Sequence, residues 1–303
     1  MKYTKPPLTV GQQASLLRRR GMIGTAVQMQ RCLSTVSYYR LSGYWYPFRE
    51  QDDRFITGTS FREVWSRYTF DRRIRLLVMD AIERIEVAVR SNLAHHHAME
   101  HGAFAYAMDP SSLPKLTPCR HTEFLERVAE ETERSREAFV KHFRTKYGDR
   151  HVHLPVWMAV EIMAFGTLLT FYRGSSNRVK QAVASAFGVP AKVFDSWLLT
   201  MSVIRNICAH HARLWNRELG VKPLIPRQKD YPEWHQPARV ENRRLFCVLT
   251  ICQHCLRKLG LADDWAWRLK SLLQEYPDIP RVAMGFPDAW QSGPIWQEPV
   301  CKG

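Results

Sequence analysis

Several things are missing from this chain, and each absence removes a class of protein. No long apolar run is free of charge. The nearest approach, Pro155 to Tyr172, opens on a proline, carries Glu161 near its middle and is interrupted by Gly166. A lone carboxylate is costly in lipid, so this segment is expected to be a buried core helix and no membrane span is expected. The opening residues, Met1-Lys2-Tyr3-Thr4-Lys5-Pro6, lack the apolar centre of a secretory leader. The seven cysteines (Cys32, Cys119, Cys208, Cys247, Cys252, Cys255 and Cys301) fall at irregular spacing and form no disulfide framework, so a reducing cytoplasm is the expected location. No G-x-x-x-x-G-K-[ST] loop is present, which argues against an NTPase. No apolar/polar alternation extends beyond a few residues, and no internal repeat is visible. Acid is scarce at the start: the first 49 residues carry eight Lys or Arg and no Asp or Glu.

What is present is helical periodicity. Thr9 is placed to cap a helix ending near Gly21, and a second helix is expected over Thr25–Thr35. The aromatic block Tyr38–Phe48 ends in a Pro-Phe pair and reads as a loop or short turn. Residues 50–59 are polar and read as a linker. Ser60-Phe61-Arg62-Glu63 is a capping box, and it opens an apolar stripe running to about Met99. Further helices are expected at 121–147, 155–173, 177–187, 191–215, 240–259 and 263–276. Residues 216–238, with four prolines, read as a basic extended loop, and the Pro-, Gly- and Trp-rich tail is assigned no structure. The expected class is all-α: a basic, aromatic-rich helical segment over 1–58, a helical core over 59–220, and a Pro-rich loop with C-terminal helices over 221–303.

Lys and Arg outnumber Asp and Glu by 44 to 29, giving a net charge of +15. Such a surface attracts phosphate polymers. Arg18, Arg19, Arg20 and Arg40 are interleaved with Tyr38, Tyr39, Tyr44 and Trp45, a mixture suited to single-stranded RNA, in which bases stack on rings while phosphates meet cations. The same rings could instead fill a core.

The most informative stretch is Arg205-Asn206-Ile207-Cys208-Ala209-His210. Arginine binds phosphate and stabilises developing charge, and histidine moves a proton near neutral pH. Between Asp195 and Leu214 there is no Pro or Gly, and Trp197, Leu198, Met201, Ile204, Cys208 and Ala212 recur at helical spacing, with Asp195 as a candidate cap. On a helix, Asn206 and His210 lie about 40° apart, whereas Arg205 lies about 140° from His210. One helix therefore holds the trio poorly, and two copies would close a better site. The same spacing is met by an exposed arginine and a hydrogen-bonded core histidine. His211 points about 100° from His210 and suits structure or RNA contact better than catalysis.

Other constellations have simpler readings. His97-Ala98-Met99-Glu100-His101 matches the H-x-x-E-H zinc pattern, but Gly102 follows at once, as at a helix C-terminus, where histidine complements the dipole. Cys252-Gln253-His254-Cys255 is a single CxxC without a second pair, so no metal or other cofactor is expected. Glu86 and Arg90, one turn apart, are placed to form an ion pair. Glu161 needs a partner if buried, and Arg205 is a candidate.

Several blocks resemble the Abi-like (AbiD/AbiF) abortive-infection family and, through the R-N-x3-H form of the R-x4-6-H signature, the HEPN superfamily. They are Ser37-Tyr38-Tyr39-Arg40-Leu41-Ser42-Gly43-Tyr44-Trp45-Tyr46-Pro47-Phe48; Tyr68-Thr69-Phe70-Asp71-Arg72-Arg73-Ile74-Arg75; Ile82-Glu83-Arg84-Ile85-Glu86; Pro155 to Glu161 with Phe165-Gly166; and the Arg205–His210 stretch. The resemblance runs from about Lys5 to about Pro226. It implies a HEPN-like helical bundle, a homodimer with a composite site, and metal-independent RNA cleavage by Arg205, Asn206 and His210, with support from Glu86 or another carboxylate. It also implies a toxin-like anti-phage role, in which a structured non-coding RNA could hold the nuclease silent. A non-catalytic RNA-binding protein that holds such an RNA is the alternative.

Overall fold

The computed structural model describes residues 2, 4, 6–262 and 264–297. Thirteen α-helices appear among them: α1 (Val10–Arg19), α2 (Ala26–Val36), α3 (Tyr38–Trp45), α4 (Phe61–His101), α5 (Ala105–Met108), α6 (Pro118–Arg134), α7 (Ala138–Tyr147), α8 (Val156–Ile162), α9 (Phe165–Gly174), α10 (Asn177–Ala186), α11 (Ala191–Ala209), α12 (Leu245–Lys258) and α13 (Trp265–Glu275). Extended pairing among the described residues is limited to two isolated bridges, Ile23 with Ser60 and Arg49 with Phe55. The all-α expectation holds. No helix among the described residues is long and apolar enough to cross a membrane.

The chain forms two compact units, residues 1–76 with 270–280, and residues 77–269 with 281–303. In the first, α1 begins on the expected cap: Thr9 accepts from the Gln12 amide while the Gln12 side chain accepts from the Thr9 amide. The block expected as a loop at 38–48 is instead mostly helix. Ser37 takes a left-handed turn and caps α3. Leu41, Tyr44 and Trp45 sit at i, i+3 and i+4 and are buried together, a helical spacing that Gly43 and Pro47 obscure.

Burial of Tyr44 creates the central polar network of this unit. Its hydroxyl donates to Asp71 Oδ2 at 2.5 Å, and Asp71, fully buried, is also bonded by Arg75 one turn along α4. A buried carboxylate demands such partners. Burial, and then the negative charge of Asp71, push the Tyr44 phenol above its usual range, so it remains a donor at physiological pH. Two of the aromatic and basic sequence blocks thus meet at one buried carboxylate.

In the second unit, several boundaries differ from expectation; α12 starts at Leu245 and not at 240. The helix expected at 121–147 starts at Pro118 and breaks at Ser135 into α6 and α7. The segment expected at 155–173 breaks at Met163 and Ala164 into α8 and α9, where Glu131 Oε2 accepts from the Ala164 amide and Oε1 from Thr167. The Trp-rich tail is packed: Trp290 and Trp296 lie 5.9 and 5.8 Å from the Phe246 ring, and Arg257 donates to the carbonyls of Pro294 and Ile295. Six buried indole rings (Trp197, Trp215, Trp234, Trp265, Trp290 and Trp296) fill much of the interior of this unit.

α11 is clamped by its buried face. Trp197 packs on Trp234 at 5.1 Å and on His254 at 5.4 Å, and its indole nitrogen donates to Leu224 O at 2.8 Å. His254 donates through Nε2 to Phe187 O at 3.0 Å. Burial lowers its pKa to about 4; His97, fully buried against Phe171, is likewise lowered to about 4, by burial first and then by His101.

Two outcomes are expected. Asp71→Ala, which leaves Arg75 and the Tyr44 hydroxyl without their buried partner, lowers unfolding free energy by about 3–5 kcal/mol in a urea titration; a loss under about 1 kcal/mol removes the network from its structural role. Because His97 and His254 fold neutral but bind protons when unfolded, the stability they contribute is full above pH about 6.5 and declines as pH falls toward 4, by on the order of 3 kcal/mol each. Thermal melts should be flat from pH 8 to 7 and fall steeply between pH 6.5 and 4.5, and His254→Gln should reduce that slope.

Candidate active site

Helix α11 positions the Arg205–His210 stretch. It starts after Pro190, at Ala191, so Asp195 is not its cap; Asp195 lies in the second turn and accepts two bonds of 2.9 Å from Arg173. Phe194, Trp197, Leu198, Met201, Ile204 and Cys208 form the buried face. Cys208 packs in that core, as its place on the apolar stripe predicts.

The helix expected to continue to residue 215 ends at Ala209. His210 is the cap residue and His211 adopts the left-handed conformation, φ 56°. The His211 amide then donates to Cys208 O at 3.0 Å and the Ala212 amide to Ile207 O at 2.9 Å, which are the two bonds of a Schellman turn. Glycine usually occupies the left-handed position; histidine tolerates it better than most residues but at a cost. The gain lies downstream, since the turn sends Leu214 and Trp215 into the core, where both are buried. The sequence carries no Gly or Pro to mark this stop.

The turn leaves the trio at an open helix end. Asn206 and His210 are exposed and Arg205 is half-buried. The Arg205 Nη1 donates to Asn206 Oδ1 at 3.5 Å, a long bond, and the His210 amide donates to Asn206 O at 3.0 Å. The His210 imidazole makes no hydrogen bond among the described residues, so it is not a core histidine held by a buried partner. Asn206 and His210, one turn apart, share a face; Arg205 bonds Asn206, and no hydrogen bond joins it to His210 among the described residues. His211 lies exposed beside them. Beyond the turn, Arg217 adds an exposed guanidinium, bonded to Arg213 O at 3.2 Å.

The proposed supporting residues have other roles. Glu86 pairs with Arg90, and Arg90 also donates to Val160 O, tying α4 to α8 within the second unit. Glu86 thus acts through structure. Glu161 is exposed and needs no buried partner, and Arg205 is bonded to Asn206 instead. His101 ends α4 and Gly102 follows at φ 92°, the helix terminus expected there. Glu100 accepts from Ser176 and pairs with Arg178. Cys252 and Cys255 are fully buried in α12, and burial pushes the Cys252 thiol up to about 12, the opposite of a reactive or metal-binding thiolate. None of the six described cysteines forms a disulfide with another described residue, and Cys301 lies outside the described residues.

The basic N-terminal set is divided. Arg18, Arg19, Arg40 and Tyr39 are exposed, Tyr39 at 89%. Arg20 is half-buried and bonds the Tyr38 hydroxyl at 3.1 Å and Asp53 at 3.0 Å. Tyr44 and Trp45 are 2% and 1% exposed, so neither ring can stack on a base. Tyr46, the next aromatic along the chain, is 69% exposed; only the fold around α3 separates it from its buried neighbours.

A model of the family described as Abi-like protein matches residues 31–216, more than half of the chain. No curated protein and no solved structure matches it.

The left-handed turn makes a direct test of the helix end. His211→Gly and His211→Ala both remove the imidazole, but only glycine relieves the backbone. The glycine variant should be the more stable of the two by about 1 kcal/mol in denaturant titration. Equal stability would mean that His211 does not hold this turn in solution.

Proposed function

The chain belongs to the Abi-like protein family, which supports a role related to abortive infection, and we propose that it acts there as a metal-independent endoribonuclease of the HEPN type. The observation that carries this reading is the exposure of His210 and Asn206 at an open helix end beside Arg205, within the stretch the family match covers. Groups that serve only packing would be buried there, as Cys208 is.

The reaction follows from the side chains. The 2′-hydroxyl of a ribonucleotide attacks the adjacent phosphorus while its proton passes to the imidazole of His210, the general base. The P–O5′ bond breaks as the new P–O2′ bond forms. Arg205 neutralises charge developing on the non-bridging oxygens, and Asn206 holds Arg205 or the phosphate through its carboxamide. The departing 5′ oxygen takes a proton from an acid. In a homodimer, the His210 of a second copy supplies that acid, and the second Arg205 makes good the separation between Arg205 and His210 on a single helix. Products carry a 2′,3′-cyclic phosphate and a 5′-hydroxyl. The basic surface of Arg18, Arg19, Arg40 and Tyr39 holds RNA by phosphate contact and stacking, and a structured non-coding RNA held there would keep the nuclease silent.

The test is cleavage of a labelled single-stranded RNA in EDTA. The wild type should cut it and leave cyclic-phosphate ends, and a substrate with 2′-deoxyribose at the cleaved position should be bound but intact. His210→Ala should lower the rate by about 10²–10⁴ and Arg205→Ala by about 10²–10³, with RNA binding retained in the first. Binding without cleavage by the wild type would favour the non-catalytic RNA-holding reading, and wild-type rates in His210→Ala would remove His210 from the chemistry.

A further inference from the structure

A second cationic feature lies at the other end of α11. A groove of about 540 Å³ is lined by Arg173 from the last turn of α9, Asn177, Lys180 and Gln181 from α10, and Ala191, Lys192 and Asp195 from α11. It holds three cations against one carboxylate. That carboxylate is committed: Asp195 takes the Nε and Nη2 donors of Arg173, fixing the guanidinium at the groove wall with further N–H donors to spare. Lys180 and Lys192 form no ion pair with any carboxylate among the described residues, and Lys192 is exposed. The remaining lining, an Asn and a Gln, adds neutral donors. Such a set suits a phosphate diester: one oriented guanidinium, the Lys180 ammonium over the face of the Tyr172 ring at 5.8 Å, the exposed Lys192 ammonium and two carboxamides.

The groove and the candidate site share one face of one helix. Measured around the axis from Ala191 at about 100° per residue, Asp195, Leu199, Ser202 and Asn206 fall within about 20–80°, and Lys192 and His210 at about 100°. All of these are exposed or half-buried, and the buried residues of α11 occupy the opposite arc. Lys192 and His210 are about 27 Å apart along the axis at 1.5 Å per residue. At the roughly 3.4 Å rise of a stacked strand, that distance spans about eight nucleotides.

We infer that the Arg173–Lys180–Lys192 groove is a distal phosphate subsite for single-stranded RNA, which runs along the exposed stripe of α11 with its scissile linkage at His210. The inference rests on the ribonuclease reading for the position of the scissile bond, but not for the groove's binding of the polymer. It makes the substrate a strand of eight or more nucleotides, because shorter ones reach only one end of the helix.

The experiment compares the full chain with the Lys180→Glu/Lys192→Glu variant and with Lys141→Glu/Lys146→Glu, an exposed pair on α7 that gives the same change in net charge. Binding of labelled 4-nucleotide and 12-nucleotide single strands is followed by anisotropy across a salt series, using RNA and its uncleavable all-2′-deoxy counterpart. Wild type should bind the 12-mer at least tenfold more tightly than the 4-mer. The groove variant should lose most of that ratio, with a slope of log affinity against log salt shallower by about 1.4, at about 0.7 for each single-strand phosphate no longer neutralised. The α7 variant should keep both, and matched melting temperatures establish that all three are folded. An unchanged length ratio and salt slope in the groove variant, or equal loss in the α7 variant, overturns the subsite. If the deoxy strand shows the expected loss while no RNA is cut by the wild type, the groove stands and the nuclease reading falls.

Discussion

The burial of one side of α11 is the constraint on which the candidate site depends. Trp197 packs against both Trp234 and His254, its indole is pinned to Leu224 O, and Phe194, Leu198, Met201, Ile204 and Cys208 continue the same buried face. With that face fixed, the rotation of the helix is fixed, and so is the direction of every other residue on it. Lys192, Asn206 and His210 are exposed because Trp197 is not. The sharp left-handed exit at His211 then prevents the chain from covering the helix end, by sending Leu214 and Trp215 into the core.

Buried polar groups perform a related task elsewhere. Asp71 gathers Tyr44 and Arg75 in the first unit; Arg90, held by Glu86, fixes the backbone of α8 in the second. These are costly groups to bury, and each has only a few geometries in which it is satisfied. They specify one arrangement of helices more narrowly than apolar contact alone. Tyr44, Asp71, Arg75 and Glu86 thus serve the scaffold, whereas Asn206 and His210 in the Arg205–His210 stretch stay exposed.

How much of this was legible depended on whether a signal was local. The Thr9 cap, the Ser60 start of α4 and the Gly102 stop are written in adjacent residues, and the structure has them. The α3 helix was not legible, since Gly43 and Pro47 outweighed the spacing of Leu41, Tyr44 and Trp45. Nor was the assignment of aromatic residues to core or surface: Tyr38, Tyr39, Tyr44, Trp45 and Tyr46 are of similar chemistry, and only packing separates Tyr39 and Tyr46 from the rest. Glu161 illustrates the reverse case, a charge in an apolar segment that the break at Met163 leaves on the surface.

The sequence by itself determined the helical class, the excess of positive charge and the gathering of an arginine, a carboxamide and a histidine in one short stretch, because periodicity, composition and side-chain identity are properties of neighbours along the chain. The tertiary structure decided where α11 stops, which basic and aromatic side chains reach solvent, and that Lys180 and Lys192 face the same groove as Arg173. Those outcomes are set by what must be buried, and burial is decided among residues far apart in sequence, whose competing demands no local pattern records.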